Sequence, residues 1–226
     1  MIRIKNLSKQ FGKKVVLNNL SIEFDRGKIY GIIGENGAGK TTLFRCIAGL
    51  ESFDGEIVSE INPLKDHLGY LTAEPFFFPM ITGEEYIRLL CNARDKKISG
   101  IGSNNIFDLP LNQYVTTYST GMRKKLALLA VLLQGNDIFI LDEPFNGIDL
   151  NGSIILTEII HRLKELGKTV IISSHIFSTL SDTCDEIHIL REGAITQTVE
   201  RENFYLLEKE MKDTVVKGKI EGLELG

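Results

Sequence analysis

The stretch GENGAGKTT, Gly34–Thr42, sets three glycines, a lysine and two threonines directly after the apolar, β-branched run KIYGII. The following run, TLFRCIAGL, has apolar residues at helical spacing and ends near Gly49. The sequence therefore predicts a strand, a tight loop and a helix. Such a loop turns successive backbone N–H groups toward an anion, and the positive end of the helix dipole adds to their effect. We predict a phosphate-binding loop here.

The loop matches the full spacing G-x-x-x-x-G-K-[ST] of nucleoside triphosphate-binding loops. Lys40 is then the cation that reaches the β- and γ-phosphates, and the Thr41 hydroxyl is a ligand of Mg²⁺. An ordinary glycine turn with a surface lysine is the alternative, but it does not explain the complete spacing between a strand and a helix. The predicted nucleotide-binding residues of the loop are Gly34, Glu35, Asn36, Gly37, Ala38, Gly39, Lys40, Thr41 and Thr42.

A second motif, DIFILDEP, is an apolar strand that ends in two carboxylates. Ligands of α/β sheets bind beyond the carboxyl ends of the strands, so Asp142 is predicted to face the phosphate loop and to hold Mg²⁺. Glu143 follows it and is placed to take a proton from an attacking water. Alone, the pattern fits a solvated acidic turn equally well. The complete loop upstream favours the catalytic interpretation.

Two weaker signals complete the candidate site. In YSTGMRKKL, Ser119 is positioned to cap a helix, and Gly121 in its first turn leaves backbone amides open to an anion. The residues alone favour a capped helix and nothing more. In VIISSHIF, His175 follows a buried strand at the same sheet edge as Asp142, where an imidazole bridges a γ-phosphate and a carboxylate. A single histidine is more often structural or exposed.

Length and composition limit the class of protein. The 226 residues, 43% of them apolar, fit one α/β domain with a small insertion. The formal net charge of −4, without a long basic block, argues against nucleic acid as a partner. Apolar runs are too short to span a membrane, and the N-terminus lacks the apolar core of a signal peptide, so we expect a protein that is not exported.

The order of the segments predicts the domain organisation. Two strands joined at Gly12 open the chain, and strands alternate with helices after residue 135, which predicts a parallel sheet with crossover helices. Residues 76–133 are predicted to form a helical insertion. We assign residues 1–210 to the nucleotide-binding domain and 211–226 to a C-terminal tail.

The motifs GENGAGKTT, YSTGMRKK, FILDEPFNGID and IISSH, in this order, resemble the ATP-binding subunits of ABC transporters over residues 1 to about 200. The resemblance implies a P-loop NTPase fold with a mostly parallel core sheet, an N-terminal antiparallel β subdomain and a helical insertion. It also implies ATP and Mg²⁺ as cofactors, Glu143, His175 and Lys40 as catalytic residues, and Phe11 as the ring that stacks on adenine.

This chain departs from the family pattern at two places. The signature Leu-Ser-Gly-Gly-Gln is here Tyr118-Ser119-Thr120-Gly121-Met122, a variant that resembles subunits of exporter-type systems with a separately encoded permease. After the GYL strand, Ala73 stands where the family has a glutamine that contacts Mg²⁺ and water. We expect the neighbouring Glu74 to replace it as a metal and γ-phosphate sensor; otherwise metal sensing is weaker in this chain.

The resemblance further implies partners. Two ATP-binding subunits, identical or different, face each other head to tail, and the Ser119–Gly121 segment of one closes over the ATP of the other. A transmembrane permease would hold them, in the cytoplasm, on the inner face of the membrane. The run PFFFP is predicted either to contact that partner or to fill the core of the insertion.

Two other functions stay open at this stage. One is a non-transport relative that uses the same ATP clamp on nucleic acid or the ribosome, although such proteins usually carry long coiled-coil insertions or two clamps, and this chain has neither. The other is a module that binds ATP without hydrolysing it. Glu143 and His175 argue against such a module.

Overall fold

The computed structural model describes residues 1–219, and side chains as far as residue 213. Within that range the strands are β1 (Ile2–Phe11), β2 (Lys14–Phe24), β3 (Ile29–Ile33), β4 (Asp54–Ser59), β5 (Leu68–Leu71), β6 (Ile138–Asp142), β7 (Thr169–Ser174), β8 (Glu186–Arg191) and β9 (Ala194–Glu200). The helices are α1 (Lys40–Ile47), α2 (Gly83–Asn92), α3 (Thr120–Leu133), α4 (Leu150–Glu165), α5 (Phe177–Thr183) and α6 (Phe204–Lys219).

The main sheet has the strand order β5-β6-β7-β3-β8-β9. The first five strands in this order are parallel, and β9 pairs with β8 in the antiparallel sense. Strands β3, β6 and β7 are buried along their whole length, as expected for parallel strands that are covered on both faces. The predicted mostly parallel core sheet is confirmed, and the carboxyl ends of β3, β6 and β7 lie at one edge.

A smaller antiparallel sheet of order β2-β1-β4 forms the N-terminal β subdomain, as the sequence predicts. Its first two strands join at Gly12, whose φ of 58° is in the left-handed region. Helix α1 buries Leu43, Phe44 and Ile47 in a core formed by this sheet and one face of the main sheet. The helix that begins at the phosphate loop is therefore fixed on both sides.

The segment 76–133 contains the helical insertion. Helix α2 begins with a capping box in which Thr82 and Glu85 satisfy each other's backbone N–H groups. Helix α3 packs against α2 and against β5, and so attaches the insertion to the main sheet. Between the two helices the chain forms turns and two 3₁₀ segments, Ile101–Asn104 and Val115–Thr117.

The C-terminal part differs in detail from the sequence-based expectation. Strand β9 and the short helix α5 were not predicted. Helix α6 continues to Lys219, so residues 211–219 of the predicted tail extend a helix of the domain, and residues 220–226 lie outside the described residues. None of the helices in the described part of the chain combines the length and the hydropathy needed to cross a membrane.

Candidate functional site

The phosphate loop connects β3 to α1 and needs glycine at particular positions. Gly39 has a φ of +111°, and a Cβ there would lie 2.9 Å from the Leu17 side chain and 3.0 Å from the Val16 carbonyl oxygen. A Cβ on Gly34 would lie 2.5 Å from the carbonyl oxygen of Leu190. The loop is therefore packed against both sheets and is fixed in a shape that side chains would prevent.

Lys40, the first residue of α1, points back over the loop. Its ammonium donates to the carbonyl oxygens of Gly34 at 2.6 Å and Glu35 at 3.3 Å. It also lies 3.5 Å from Oε1 of Glu143. The side chain is only 6% exposed, so a cation is held between the loop and the end of β6.

Asp142 ends β6 and is fully buried. Its Oδ2 accepts a hydrogen bond of 2.7 Å from the Thr41 hydroxyl, and its Oδ1 accepts one of 2.6 Å from the Ser173 hydroxyl. A hydroxyl and a carboxylate in contact are hard oxygen donors of the kind that Mg²⁺ prefers. The pair of Thr41 and Asp142 thus fits the predicted magnesium site.

The Glu143 carboxylate lies between two basic side chains, those of Lys40 and His175. Its Oε2 lies 2.9 Å from Nδ1 of His175, at hydrogen-bonding distance, and its Oε1 faces the Lys40 ammonium. His175 follows the carboxyl end of β7, and the sheet places this end beside that of β6. The structure therefore brings the three predicted catalytic residues into contact.

The backbone at Glu143 has an uncommon conformation. Its φ of 49° is in the left-handed region, which costs a non-glycine residue about 1 kcal/mol or more. The Glu143 amide donates to the Ser173 hydroxyl at 2.9 Å, and its carbonyl oxygen accepts from the Asn146 amide at 3.2 Å. Ser173 thus contacts both acidic residues of the motif, at Oδ1 of Asp142 and the amide of Glu143.

A cavity of about 470 Å³ opens between the loop, the β subdomain and the end of β6. Phe11 lies at its edge, half exposed, with the Lys9 ammonium 4.8 Å from the centre of its ring. The cavity is lined by Phe11, Lys14, Val16, Glu35, Asn36, Gly37, Gly39, Lys40, Thr41, Thr42, Ala73, Asp142 and Glu143.

A second cavity of about 660 Å³ lies on the other side of the loop. It shares Glu35, Asn36 and Gly37 with the first cavity, and adds Gly34, Ala38 and His175. All nine predicted loop residues therefore line one of the two cavities or both.

Ser119 and Gly121 line neither of these cavities. The Ser119 hydroxyl accepts from the Met122 amide at 3.2 Å and so caps α3, as predicted. A Cβ on Gly121 would lie 2.7 Å from the carbonyl oxygen of Gly147. Within one chain, the start of α3 packs against the turn that follows β6 and does not meet the phosphate loop.

Glu74 is not placed beside the magnesium pair. Ala73 lines the 470 Å³ cavity, whereas Glu74 is exposed and lines a third cavity of about 540 Å³ between the main sheet and the insertion. Successive side chains of this short segment point to different sides, and Ala73 lies on the side of the phosphate loop. Glu74 is predicted to join Thr41 and Asp142, but the structure shows no contact between Glu74 and either residue.

Lys124 is a site residue that the sequence reasoning missed. It is 4% exposed, and its ammonium donates to the carbonyl oxygens of Glu143 at 2.6 Å and Ala73 at 3.2 Å. Burial lowers the pKa of Lys124, whereas the negative charges of Asp142, Glu143 and Glu74 act to raise it. The sequence does indicate that Lys124 is buried, because it lies four residues before Leu128 on the apolar face of α3.

The three phenylalanines of PFFFP divide between core and surface. Phe77 packs against the Tyr86 ring at a centroid distance of 4.5 Å. Phe76 and Phe78 are 71% and 52% exposed, and their rings meet edge to face at 5.2 Å. Phe76 also lines the third cavity. The run therefore serves the core of the insertion with one ring and presents two at the surface.

Known proteins resemble this chain in sequence and in fold. Residues 17–146, more than half of the chain, match the family model described as ABC transporter. The lantibiotic transport ATP-binding protein SrtF of Streptococcus pyogenes is 32% identical over an alignment of 209 positions that covers 86% of this chain and 89% of that protein. The bacitracin transport ATP-binding protein BcrA of Enterococcus faecalis is 30% identical over an alignment of 216 positions that covers 88% of this chain and 69% of that protein.

Solved structures agree with this result. An ATP-binding subunit of an ABC transporter superposes with a TM-score of 0.81 at 26% identity, covering 94% of this chain and 98% of that one. The dimeric bacterial ABC transporter cassette MJ0796 superposes with a TM-score of 0.80 at 20% identity, covering 89% of this chain and 99% of that one. Family model, relatives and fold lead to one conclusion: the chain belongs to the ABC transporter family.

Proposed function

We propose that this chain, an ATP-binding and ATP-hydrolysing subunit of the ABC transporter family, hydrolyses ATP with Glu143 as general base and thereby powers a membrane permease. The observation that carries the proposal is the position of the Glu143 carboxylate. It lies 3.5 Å from the Lys40 ammonium and 2.9 Å from the His175 ring, beside the cavity that the phosphate loop lines.

ATP is proposed to bind in the 470 Å³ cavity. The loop amides and the start of α1 would hold the phosphates, with Lys40 as the side-chain cation at the β- and γ-phosphates. The half-exposed ring of Phe11 offers an apolar face to the adenine at the edge of the same cavity. This arrangement leaves the γ-phosphate end of the nucleotide near the carboxyl end of β6.

Thr41 and Asp142 would hold Mg²⁺, because their oxygens lie in contact and Asp142 is fixed by Ser173. When bound, the metal neutralises phosphate charge. A carboxylate at a metal is a poor proton acceptor, so Glu143 is the better base. Its Oε2 is oriented by His175, and its free lone pairs accept the proton of the attacking water. Glu74 is left out of the proposed metal site.

A second subunit, identical or different, is proposed to complete each ATP site. The amides at the start of α3 and the Ser119 hydroxyl form a typical anion-binding helix end, yet they line neither cavity of their own chain. If they act on phosphate, the phosphate belongs to a second chain. The MJ0796 cassette, which shares the fold, is described as a dimer.

The third cavity is proposed to receive the permease. Its lining combines the exposed ring of Phe76 with the basic side chains of Arg45, Lys65 and Arg94, which suits an amphipathic segment with an acidic end. Docking there would hold the chain at the inner face of the membrane. No nucleic acid is expected among the partners.

Replacing Glu143 by glutamine tests the proposed function. The change keeps the size and hydrogen-bonding reach of the side chain but removes the base, so ATP hydrolysis should fall about a hundred- to ten-thousand-fold. Binding of ATP should remain, and in gel filtration with ATP and Mg²⁺ the variant should elute as a dimer. Asp142→Asn serves as the matched comparison, because it should also lower the affinity for Mg²⁺ and raise the Mg²⁺ concentration needed for hydrolysis. Hydrolysis at the wild-type rate by Glu143→Gln would refute the assignment.

A further inference from the structure

Helix α3 carries a buried cation whose hydrogen bonds leave the insertion and end on two other segments. Lys124 Nζ donates at 2.6 Å to the carbonyl oxygen of Glu143, which follows β6, and at 3.2 Å to that of Ala73, which follows β5. These strands are neighbours in the main sheet. One ammonium therefore joins the insertion to the two chain segments that border the nucleotide cavity on this side.

Burying a lysine is costly unless its hydrogen bonds are satisfied. Only 4% of Lys124 is exposed, and its two hydrogen bonds end on backbone carbonyls. Methionine or leucine would fill the same volume on the apolar face of α3 without that cost. The two bonds are thus the feature of this position that an apolar side chain could not supply.

The carbonyl that Lys124 holds belongs to a residue with a strained backbone. Glu143 has a φ of 49°, and the direction of its side chain depends on that conformation. Its amide is fixed by Ser173 at 2.9 Å and its carbonyl by Lys124 at 2.6 Å. The peptide groups on both sides of the Glu143 Cα are therefore anchored, and this sets where the carboxylate lies relative to Lys40 and His175.

We propose that Lys124 is a positioning residue for hydrolysis: it holds the Glu143 backbone in its left-handed conformation and ties it to the segment after β5. The proposal rests on the proposed function, in which Glu143 is the base. At that segment Ala73 has no polar side chain to reach the site, and a cation from α3 contacts its backbone instead. Residues 72 and 74–76 of the same segment line the third cavity, so Lys124 also connects that cavity to the catalytic carboxylate.

Lys124→Met removes the cation and both hydrogen bonds but keeps the length and apolar stem of the side chain. We expect kcat for ATP hydrolysis to fall about ten- to a hundredfold, since a small displacement of a catalytic group costs that much. ATP affinity should stay within about twofold of wild type, because the loop and Lys40 are untouched. Lys124→Gln retains an amide donor for the carbonyls and should recover part of kcat.

Lys125→Met is the matched control, because it removes the next lysine of α3, whose ammonium pairs with the exposed Asp149. It should leave kcat unchanged. Thermal unfolding of each variant without nucleotide shows whether the fold is intact. If Lys124→Met does not fold, the same comparison is made with Lys124→Gln against wild type, where a fall in kcat at constant affinity is expected.

A double-mutant cycle distinguishes positioning from general destabilisation. In a Glu143→Gln background there is no base to position, so Lys124→Met should have little further effect on the residual rate, whereas a merely structural role would lower both rates by the same factor. Equal factors, or an unchanged kcat in Lys124→Met, would overturn the inference while Glu143→Gln still reports the base. A wild-type rate in Glu143→Gln would instead overturn the proposed function itself.

Discussion

His188, on β8, is a titratable residue buried away from the site. It is 3% exposed, its ring packs against those of Phe24 and Tyr30 at centroid distances of 5.9 and 5.8 Å, and its Nδ1 lies 2.9 Å from the Thr198 hydroxyl. Burial lowers the pKa of His188 to about 4. The unfolded chain has a histidine pKa near 6.5, so between these values the unfolded state binds the extra proton.

The sign of the pH dependence follows. The free energy of unfolding should be constant above about pH 6.5 and should fall as the pH falls toward 4, by roughly 3 kcal/mol if His188 acted alone. Glu186, 3.3 Å from Nε2, acts in the opposite sense, because burial and the charge of Glu200 raise its pKa. Its contribution to stability is present at acidic pH and is lost as the pH rises through its raised pKa, so it offsets part of the loss that His188 causes.

Denaturant unfolding at pH 7 and at pH 5.5 tests this prediction. Wild type should be less stable at pH 5.5, whereas His188→Phe, which keeps an aromatic ring beside Phe24 and Tyr30, should lose most of that difference. Thr198 is exposed, so its hydroxyl would turn to water in the variant. The same decrease in both proteins would show that another group controls the acid sensitivity.

Sequence alone predicts the position of a single residue well when that position depends on near neighbours along the chain. Lys40 and Thr41 follow from the spacing of one loop. The pattern of α3 indicates that Lys124 is buried, but the contacts of Lys124 and Ser173 do not follow from the sequence, because they depend on how α3 and β7 pack beside β6. Glu74 is expected at the site because it is the neighbour of Ala73, which stands at the family's glutamine position, but the direction of its side chain is set by the packing of the segment.

At the scale of elements, contiguous apolar runs and helical periodicity account for β3, β6, β7 and α4. The hairpin of β8 and β9 was missed because β9 is an edge strand with mostly exposed residues, AITQTVE. A turn signal was available: Glu192 and Gly193 both have positive φ, at 48° and 78°, and two such residues between strands are typical of a tight hairpin. Glutamate rarely adopts a positive φ, so turn propensity alone does not predict a hairpin at Glu192.

The start of α3 gives a prediction for the composite site. Ser119→Asp keeps a good N-cap but adds a negative charge where the proposed function places the γ-phosphate of the partner subunit. We expect ATPase activity to fall at least about tenfold, since like charges at an interface are strongly unfavourable, with unchanged thermal unfolding. Ser119→Asn, a neutral cap of the same shape, is the control and should be nearly normal.

Mixing subunits shows on which chain Ser119 acts. If two copies of this chain pair, a dimer of one Ser119→Asp and one Lys40→Ala subunit has one site with both defects and one intact site. The mixture should then recover activity that neither variant shows alone. A Ser119→Asp variant as active as Ser119→Asn would contradict the composite site.

At the scale of the whole molecule, substitutions in PFFFP can distinguish the rings that stabilise the fold from the rings that bind a partner. Phe77→Ala should lower the free energy of unfolding by roughly 2 kcal/mol, less than the 3–5 kcal/mol of a fully buried phenylalanine, because Phe77 is only partly buried. Phe76→Ser with Phe78→Ser should leave stability and the ATPase activity of the isolated chain unchanged. Chemical denaturation and a phosphate-release assay measure the two quantities.

The same double variant should lose association with the permease when both are produced together, while Phe77→Ala should retain it in proportion to the folded protein. Co-purification on a tagged permease gives the readout. Undiminished co-purification of the double variant would exclude the two exposed rings from the docking surface.

The attachment of the helical insertion through α3 has a mechanical consequence. α2 packs on α3 and α3 packs on β5, so a force on the insertion would reach the main sheet largely through α3, as through a lever. Under the proposed function, the permease would act on the Phe76 and Phe78 surface, Lys124 would lie at the fulcrum, and the N-terminus of α3 would be the end that moves. A movement of a docked segment would therefore turn the Ser119 end of α3 relative to the phosphate loop. The rigidity of the Lys124 contacts at the fulcrum would set how much of that movement reaches Ser119.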